Sequence, residues 1–138
     1  MCIDYGFVER FALSLSQVCG VEPVGLVFDR WNALSTVQKL ESAENPIQCT
    51  EIQQHSRVLH RPTKFLREKI LQKKFFYDEN ELLEINFSNA RCTYDTNLNR
   101  YVNKKKSAGK VDCVVSLINA VFLAQLEIEN PAWGAQIF

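Results

Sequence analysis

The sequence lacks the long apolar run that a transmembrane helix requires. Its longest apolar stretch, residues 114–126, is shorter than the about 20 residues needed to cross a bilayer. Ser116, Asn119 and Gln125 also interrupt this stretch. The N-terminus has no positively charged start before its apolar residues and therefore does not resemble a signal peptide. We expect neither a membrane span nor secretion.

Paired cysteines and an excess of charge are missing as well. The chain has five cysteines, an odd number with no CxxC pair, which indicates a reducing cytosol where each is a small buried hydrophobe: Cys2, Cys19, Cys49, Cys92 and Cys113. His55 and His60 have no cysteine pair nearby to complete a zinc site, so we interpret them as structural or surface residues. Sixteen basic residues balance sixteen acidic ones, so any contact with DNA must be local.

Two common catalytic motifs are also absent from the sequence. No glycine-rich phosphate loop precedes a helix, and no GxSxG motif is present, so nucleotide binding and acyl chemistry are not supported. The length of 138 residues, 46% of them hydrophobic, is sufficient for one core. We therefore predict a single domain over residues 1–138.

The first third of the chain predicts a helix, a buried strand and a second helix. Apolar residues from Phe7 to Val18 recur at helical spacing, and Gly20 follows as a stop. Residues 24–28 form a continuous apolar run typical of a strand that is covered on both faces. Ser35 and Gln38 form a capping-box pattern for a helix that should end near residue 44. This order favours a parallel α/β layer.

The rest of the chain predicts a short strand, three helices and a hairpin. The strand covers residues 49–52, and the hairpin pairs residues 91–94 with residues 100–102 around turn-forming residues. The first of the three predicted helices starts at Pro62-Thr63, and the second is capped by Asp78 with Glu81. The last helix begins near Val111 and should be largely buried. Asn130-Pro131 ends that helix, before a tail in which Trp133 and Phe138 are candidate docking groups.

Two aspartates stand at positions suited to metal ligands. Asp29 ends the predicted buried strand, and ligands of open α/β sheets gather beyond the carboxyl ends of strands. Asp112 lies in the first turn of the last helix, where the helix dipole favours the ionised form that a hard cation requires. Ser116 follows four residues later, so Asp112 should face a polar stripe.

Structural interpretations of the same residues remain open at this point. Asp29 could end its strand and cap a turn with Asn32, and Asp112 could be an ordinary first-turn acid. The lysines at positions 104, 105, 106 and 110 could form a solvated loop, although basic side chains beside a metal site also suit a phosphodiester backbone.

Two blocks of sequence resemble motifs of tailed-phage terminase large subunits. Residues 27–33, Val-Phe-Asp-Arg-Trp-Asn-Ala, are similar to the family's strand-end motif. Residues 104–117, in which lysines precede Val-Asp and an apolar helix, are similar to its closing motif. Segments between the blocks, 62–66 and 83–90, also resemble family segments, as do residues 3–5 before the first helix.

The resemblance implies an α/β fold with a ribonuclease H-like mixed sheet flanked by helices. It also implies an endonuclease that cuts concatemeric viral DNA during packaging, with two divalent ions, Mg²⁺ or Mn²⁺, held by a carboxylate cluster. Asp29 and Asp112 correspond to the second and last members of that cluster. Charge and placement make the adjacent lysines candidates for contact with DNA phosphates: Lys104, Lys105, Lys106 and Lys110. Double-stranded DNA, the terminase small subunit and the portal are the implied partners, in the cytoplasm of a bacterial host.

The sequence also departs from the family pattern. The family's first aspartate belongs to a strand expected before Ile3, and Asp4 does not replace it because Asp4 falls at a helix start. The ATPase motor is absent. We therefore expect a partial nuclease domain without its first strands, with weak metal binding, slow or no cleavage, and self-association through open sheet edges. The alternatives are a non-catalytic module that binds DNA or packaging partners, and an unrelated α/β protein with structural aspartates.

Overall fold

The computed structural model describes residues 2–30 and 33–129. The chain divides into two compact units, the first ending at Gln53 and the second beginning at Gln54. The combination of helices and strands confirms the predicted mixed α/β class. In chain order the elements are α1 (Tyr5–Cys19), β1 (Leu26–Phe28), α2 (Leu34–Glu41), β2 (Cys49–Glu51), α3 (Ser56–Leu71), α4 (Glu81–Asn89), β3 (Cys92–Tyr94), β4 (Arg100–Val102) and α5 (Asp112–Glu129).

The first unit combines a parallel strand pair with two helices. β1 pairs with β2 so that Leu26 lies opposite Cys49 and Phe28 opposite Glu51. Helix α2 contacts both α1 and β2. The buried core of this unit comprises Ala12, Leu40 and Ile47, with Leu26 and Cys49 packed against it. The parallel layer predicted from the order helix, strand and helix is confirmed.

Helix α1 begins and ends where the sequence predicts. The Asp4 carboxylate accepts a hydrogen bond from the backbone N–H of Phe7 and caps the first turn. Gly20 follows the last turn with φ 63°, a left-handed conformation that glycine adopts without steric cost. Much of the apolar row that predicted the helix is exposed, including Phe7 and Val18.

A buried carboxylate links the two helices of the first unit. Glu9 is only 7% exposed and accepts hydrogen bonds from Thr36 Oγ1 at 3.0 Å and from Lys39 Nζ at 3.1 Å. A buried charge is tolerated only when it is paired and hydrogen-bonded. The Glu9 pair therefore fixes how α1 packs on α2.

The predicted capping box of α2 is wrong. The helix begins at Leu34, and the N-cap residue Ala33 makes no side-chain capping bond. Ser35 consequently lies inside the first turn, where its hydroxyl is not at the cap position. The helix ends at Glu41, earlier than the predicted residue 44, and the N–H of Ser42 bonds to Gln38 O.

The second unit packs three helices with an antiparallel hairpin. Helix α5 contacts α3 and α4, and β4 contacts α3. The predicted hairpin is confirmed, and its strands pair with Cys92 opposite Val102 and Tyr94 opposite Arg100. The buried core comprises Leu66, Val114 and Ile118, surrounded by partly buried Leu59, Phe75, Phe87, Ala90, Val102, Leu117 and Val121.

The turn of the hairpin is organised around Asp95. Its carboxylate accepts hydrogen bonds from the backbone N–H groups of Asn97 and Asn99 and from Asn99 Nδ2. It also accepts a 2.6 Å bond from Ser56 Oγ on α3. These bonds, that from Ser56 foremost, hold the pKa of Asp95 well below its usual range.

Both histidines have structural roles, as predicted. His55 Nδ1 caps α3 by accepting the backbone N–H of Arg57 at 3.2 Å. His60 Nδ1 accepts the backbone N–H of Arg100 at 2.7 Å and thereby ties α3 to the start of β4. Each ring uses Nδ1 as an acceptor and so requires that nitrogen to be unprotonated.

Two predicted helix starts in the second unit are wrong. Helix α3 begins at Ser56 and not at Pro62, which lies inside it and is almost fully buried. The packing of that ring offsets the backbone hydrogen bond that proline cannot donate. Helix α4 is capped by Asn80 and not by Asp78, because the Asn80 side chain is the one that accepts the N–H of Leu83.

The described strands form two separate two-stranded sheets, one parallel and one antiparallel. The resemblance implies a single mixed sheet. Among the described strands, β1 pairs with β2 and β3 pairs with β4, and no strand connects the two pairs. Each sheet lies within its own unit. The prediction of one domain stays a prediction.

The cysteines are less buried than the sequence predicts. All five are free thiols, but Cys2, Cys19 and Cys92 are exposed, and Cys49 and Cys113 are half-buried. Burial, and next the charge of Glu41, raise the pKa of the Cys49 thiol. The expectation that all five are buried hydrophobes is wrong.

The helices that the structure describes include none with the length and apolar character of a membrane-spanning segment.

Candidate functional site

Asp29 lies in the first unit, directly after β1. It is exposed, and the strand ladder continues up to it because the N–H of Ile52 bonds to Phe28 O at 2.9 Å. Among the residues that the structure describes, its carboxylate has no hydrogen-bond or ion-pair partner. The alternative cap with Asn32 lies outside the described residues. Asp29 therefore presents an available carboxylate at the end of a parallel strand.

Asp112 lies in the second unit, in the first turn of α5. Its side chain is 69% exposed, and its Oδ1 lies 3.4 Å from Nζ of Lys104. Ser116, one turn further along, is also exposed, so the two residues share the polar stripe that the sequence predicts. A carboxylate at this helix end is stabilised by the dipole. The ion pair with Lys104 was not predicted from the sequence.

A buried asparagine fixes the start of α5. Asn86, on α4, is 2% exposed, and its Oδ1 accepts the backbone N–H of Cys113 at 3.0 Å. Its Nδ2 donates to Leu82 O at 2.9 Å, so both ends of the amide are hydrogen-bonded. The first-turn N–H groups of a helix have no partner within the helix itself. Asn86 supplies one from another helix and so positions the backbone beside Asp112.

A second asparagine on α4 holds the end of the lysine loop, residues 104–110. Asn89 Nδ2 donates to Lys110 O at 3.0 Å, and Asn89 O accepts the N–H of Ala108 at 3.0 Å. Gly109 lies so close to this amide that a Cβ atom there would come within 2.7 Å of Asn89 Nδ2. Only glycine allows the loop to approach α4 this closely.

The beginning of the lysine loop has its own scaffold. Asn103 Oδ1 accepts the backbone N–H groups of Lys105 and Lys106 at 3.1 and 3.2 Å. Ser107 Oγ donates to Asn103 O at 2.8 Å and accepts the N–H of Arg91 at 3.1 Å. An asparagine that bonds the backbone two residues on forms an Asx turn. The loop is thus held in one conformation while its four lysine side chains are exposed.

Sequence reasoning did not identify these three asparagines. Asn103 immediately precedes the lysines, and an Asx turn was the signal that could have identified it. Asn86 and Asn89 are three residues apart on a helix, and nothing in the sequence indicates that their partners lie more than 20 residues away.

The candidate site residues fall in two groups. The second unit brings Asp112 together with Lys104 at the start of α5, and the same loop carries Lys105, Lys106 and Lys110. Asp29 is in the first unit. That Asp29 and Asp112 share one site stays a prediction.

The described residues do not form a complete metal centre on their own. Within residues 2–30 and 33–129, no group of three or more His, Cys, Asp or Glu side chains is arranged to hold a metal ion. Asp29 and Asp112 supply oxygen ligands of the type that Mg²⁺ prefers, but each unit supplies one.

Two of three comparisons with known proteins found a match. No curated protein matches the chain at a significant level. The structure is similar to the crystal structure of the HK97 bacteriophage large terminase, with a TM-score of 0.74 at 20% sequence identity over 88% of this chain. The chain spans 25% of the length of that terminase. The family model described as terminase large subunit, endonuclease domain, matches residues 2–127. The chain therefore belongs to the family of terminase large subunit endonuclease domains.

Proposed function

We propose that this chain is the metal-dependent DNA endonuclease segment of a phage terminase large subunit, which cuts concatemeric viral DNA during genome packaging. The two units are then parts of a ribonuclease H-like nuclease domain. Family membership over residues 2–127 supports this role. The observation that carries it is the exposed carboxylate of Asp112, which lies at a helix start whose backbone is bound by the buried Asn86 and which is flanked by four exposed lysines.

Asp29 and Asp112 are the proposed metal-binding carboxylates. An exposed carboxylate after a parallel strand and one in the first turn of a helix are both suited to a hard cation. When bound, a pair of Mg²⁺ or Mn²⁺ ions would activate water and stabilise the leaving oxygen. A two-metal site requires more oxygen ligands than the two carboxylates proposed here, so we propose that the site is complete only with a further carboxylate and that the chain alone is impaired.

The lysine loop is the proposed contact for the DNA backbone. Asn103 and Asn89 hold its two ends, so Lys105, Lys106 and Lys110 project from a fixed backbone. Fixed positions lower the entropy lost when phosphates bind. Lys104 would leave Asp112 when a cation binds there, because an exposed ion pair contributes little stability.

The remaining proposals concern the setting of the complete protein. We expect the terminase small subunit and the portal to be partners, self-association through open strand edges, and a location in the cytoplasm of the bacterial host. These follow from the family and from the two-stranded sheets, whose outer edges are unpaired among the described residues.

A second candidate function is a non-catalytic module that binds DNA or packaging partners. The ion pair between Lys104 and Asp112 favours it, because the lysine already neutralises the carboxylate that a metal would need. Both candidates use the same lysine loop.

Cleavage of supercoiled plasmid DNA separates the two candidates. The chain is incubated with Mn²⁺ at fixed salt, and nicking is compared among the wild type, Asp29→Asn and Asp112→Asn. Under the nuclease proposal, the wild type should nick the plasmid slowly, and each of the two substitutions alone should abolish nicking. Asp78→Asn is the matched control, since Asp78 is exposed and lies outside both candidate positions. This variant should nick like the wild type.

Two results would decide against the nuclease proposal. Nicking that survives both Asp29→Asn and Asp112→Asn would exclude the proposed carboxylates. DNA binding without nicking would favour the non-catalytic module if Mn²⁺ also fails to bind at Asp29 and at Asp112, because an impaired nuclease site should still bind the ion weakly.

A further inference from the structure

The zero net charge of the chain hides an unequal distribution. The first unit has three basic and seven acidic residues, a net charge of −4, whereas the second has thirteen basic and nine acidic residues, a net charge of +4. The lysine loop accounts for only part of this excess. Residues 56–74, which comprise α3 and the three residues after it, contain seven basic residues and one acidic residue.

Four of these basic side chains form one exposed face of α3. Their spacings are four, three and three residues, which places them on one side of a helix: Arg57, Arg61, Lys64 and Arg67. All four are exposed. The buried residues of the helix, Pro62, Thr63 and Leu66, lie on the opposite side.

The stability of the helix does not account for this face. Arg57 lies in the first turn, where the positive end of the helix dipole disfavours a basic residue, and this turn has no acidic residue. Lys69, Lys73 and Lys74 differ, because they lie at the C-terminal end and complement the dipole there. At Arg57 the face therefore carries a charge that the helix dipole disfavours.

The ion pairs of the face leave part of its charge uncompensated. Arg61 pairs with Glu129 of α5, and Lys64 lies 4.0 Å from Glu68. Over residues 2–30 and 33–129, neither Arg57 nor Arg67 has an ion-pair partner. Both existing pairs are exposed to solvent, so an incoming anion can compete for them.

We infer that this face of α3 is a second surface that contacts the backbone of double-stranded DNA, separate from the lysine loop. From Arg57 to Arg67 the helix rises about 15 Å. A DNA duplex carries about nine phosphate charges over that length. Guanidinium groups bind phosphate oxygens in a bidentate manner without reading the base sequence. This inference rests on the proposed function, since it names a further contact with the proposed substrate.

Fluorescence anisotropy with a labelled duplex tests the inference. The whole chain is titrated into a 30-base-pair duplex in EDTA, so that cleavage plays no part, over about 50 to 200 mM salt. The test variant is Arg57→Gln, Lys64→Gln and Arg67→Gln combined, which leaves the pair between Arg61 and Glu129 intact. Its affinity should fall at least about tenfold, and the slope of log K against log salt should lose about 2 to 3.

The matched control keeps every charge of the same three positions. Arg57→Lys, Lys64→Arg and Arg67→Lys combined should keep the salt slope of the wild type, because the slope follows the number of charges, and should lose less affinity than the triple glutamine variant. The single variant Arg57→Gln, whose effect on folding should be smallest, should lower the slope by about 1. Circular dichroism confirms that each variant is folded.

Several outcomes would overturn the inference, and they can be told apart from failure of the proposed function. The triple glutamine variant could keep the salt slope of the wild type while Lys104→Gln, Lys105→Gln and Lys106→Gln combined lower it. This result would exclude the DNA contact of α3 and leave the contact of the lysine loop standing. If the charge-preserving control loses as much salt slope as the triple glutamine variant, the effect of these substitutions on DNA binding is structural and does not come from the charge of the face. Polyglutamate serves as a probe for an acidic protein partner. If the triple glutamine variant loses binding to polyglutamate but keeps its affinity for DNA, the face binds an acidic protein and not DNA. A wild-type chain that binds no DNA would contradict both proposals.

Discussion

The two units hold their candidate aspartates in different ways. Asp112 starts a long helix whose first turn is fixed by a buried side chain from a neighbouring helix, Asn86. Asp29 follows a strand of three residues, and its carboxylate has no partner among the described residues. One aspartate is therefore preorganised by tertiary packing, while the other depends on the end of a short parallel strand.

The units differ in charge as well. The unit with Asp29 has a net charge of −4, and the unit with Asp112, the lysine loop and α3 has a net charge of +4. A negative surface attracts cations and a positive surface attracts phosphates. Under the proposed function, the DNA-attracting charge is concentrated in the second unit, while each unit supplies one metal-binding carboxylate. The following predictions test how each unit is held together, beginning with the largest expected effect.

Replacing Asn86 with Leu should destabilise the second unit by about 2–3 kcal/mol. The substitution leaves the backbone N–H of Cys113 buried without an acceptor, and an unsatisfied buried donor has this cost. Hydrogen exchange measured residue by residue should show faster exchange in α4 and α5 and no change in α1 or α2. Ser88→Ala, an exposed change on the same helix, should leave all rates unaltered.

A uniform increase in exchange over both units would contradict this prediction. It would show that the two units unfold as one, and that Asn86 is not a local support for the second unit.

Replacing Lys39 with Met should destabilise the first unit by about 1–2 kcal/mol. The change leaves the carboxylate of the buried Glu9 with only Thr36 as a donor among the described residues. The matched control is Lys64→Met, which breaks an exposed pair at 4.0 Å and should cost less than about 0.5 kcal/mol. Urea unfolding monitored separately for the two units checks both values.

An equal effect of the two lysine substitutions would disprove the role of Glu9. The link between α1 and α2 would then depend on apolar packing alone.

Replacing Asp95 with Asn should lower the melting temperature of the second unit at neutral pH. The folded-state pKa of Asp95 is lowered, so its charged form stabilises the fold above the unfolded-state pKa of about 3.9. This advantage is lost as pH falls through the lowered folded-state pKa. The difference between Asp95→Asn and the wild type should therefore narrow from about pH 5 towards about pH 2.

Thermal melts at several pH values measure this difference. A gap that stays constant over the whole pH range would mean that the effect of the substitution does not come from the charge of Asp95.

Replacing Lys104 with Met should have the smallest effect on stability, less than about 0.5 kcal/mol. Both partners of its ion pair are largely exposed, with side chains 62% and 69% accessible. Affinity for Mn²⁺ should rise, because Asp112 loses the cation that competes with the metal. Calorimetric titration with Mn²⁺ measures this change, and an unchanged or weaker affinity would show that Asp112 does not bind the metal.

Local sequence patterns predicted most of the elements but few of their boundaries. Helix α1 was located correctly because Asp4 and Gly20 act through nearby backbone groups. Helix α3 was placed too late because its cap is a histidine nitrogen, a rare acceptor at this position, and because proline usually marks a start. The burial of Pro62 is a tertiary effect that no local pattern contains.

The sequence suggests the candidate aspartates but not the contacts that hold the backbone around Asp112. Asp29 and Asp112 stand out because each ends or begins an element with a clear apolar pattern. Asn86 and the approach of Gly109 to Asn89 depend on contacts between α4 and the loop before α5, which only the fold brings together. The pair of Lys104 with Asp112 likewise depends on the loop conformation that Asn103 imposes.

The most direct test of the account is NMR with substoichiometric Mn²⁺, which broadens amide signals near the bound ion. If Asp29 and Asp112 share a metal site, signals of residues 28–30 and 111–113 should broaden together in one titration. Asp112→Asn should then abolish broadening around Asp29, and Asp29→Asn should abolish it around Asp112. Broadening at one aspartate that persists unchanged when the other is replaced would contradict a shared site.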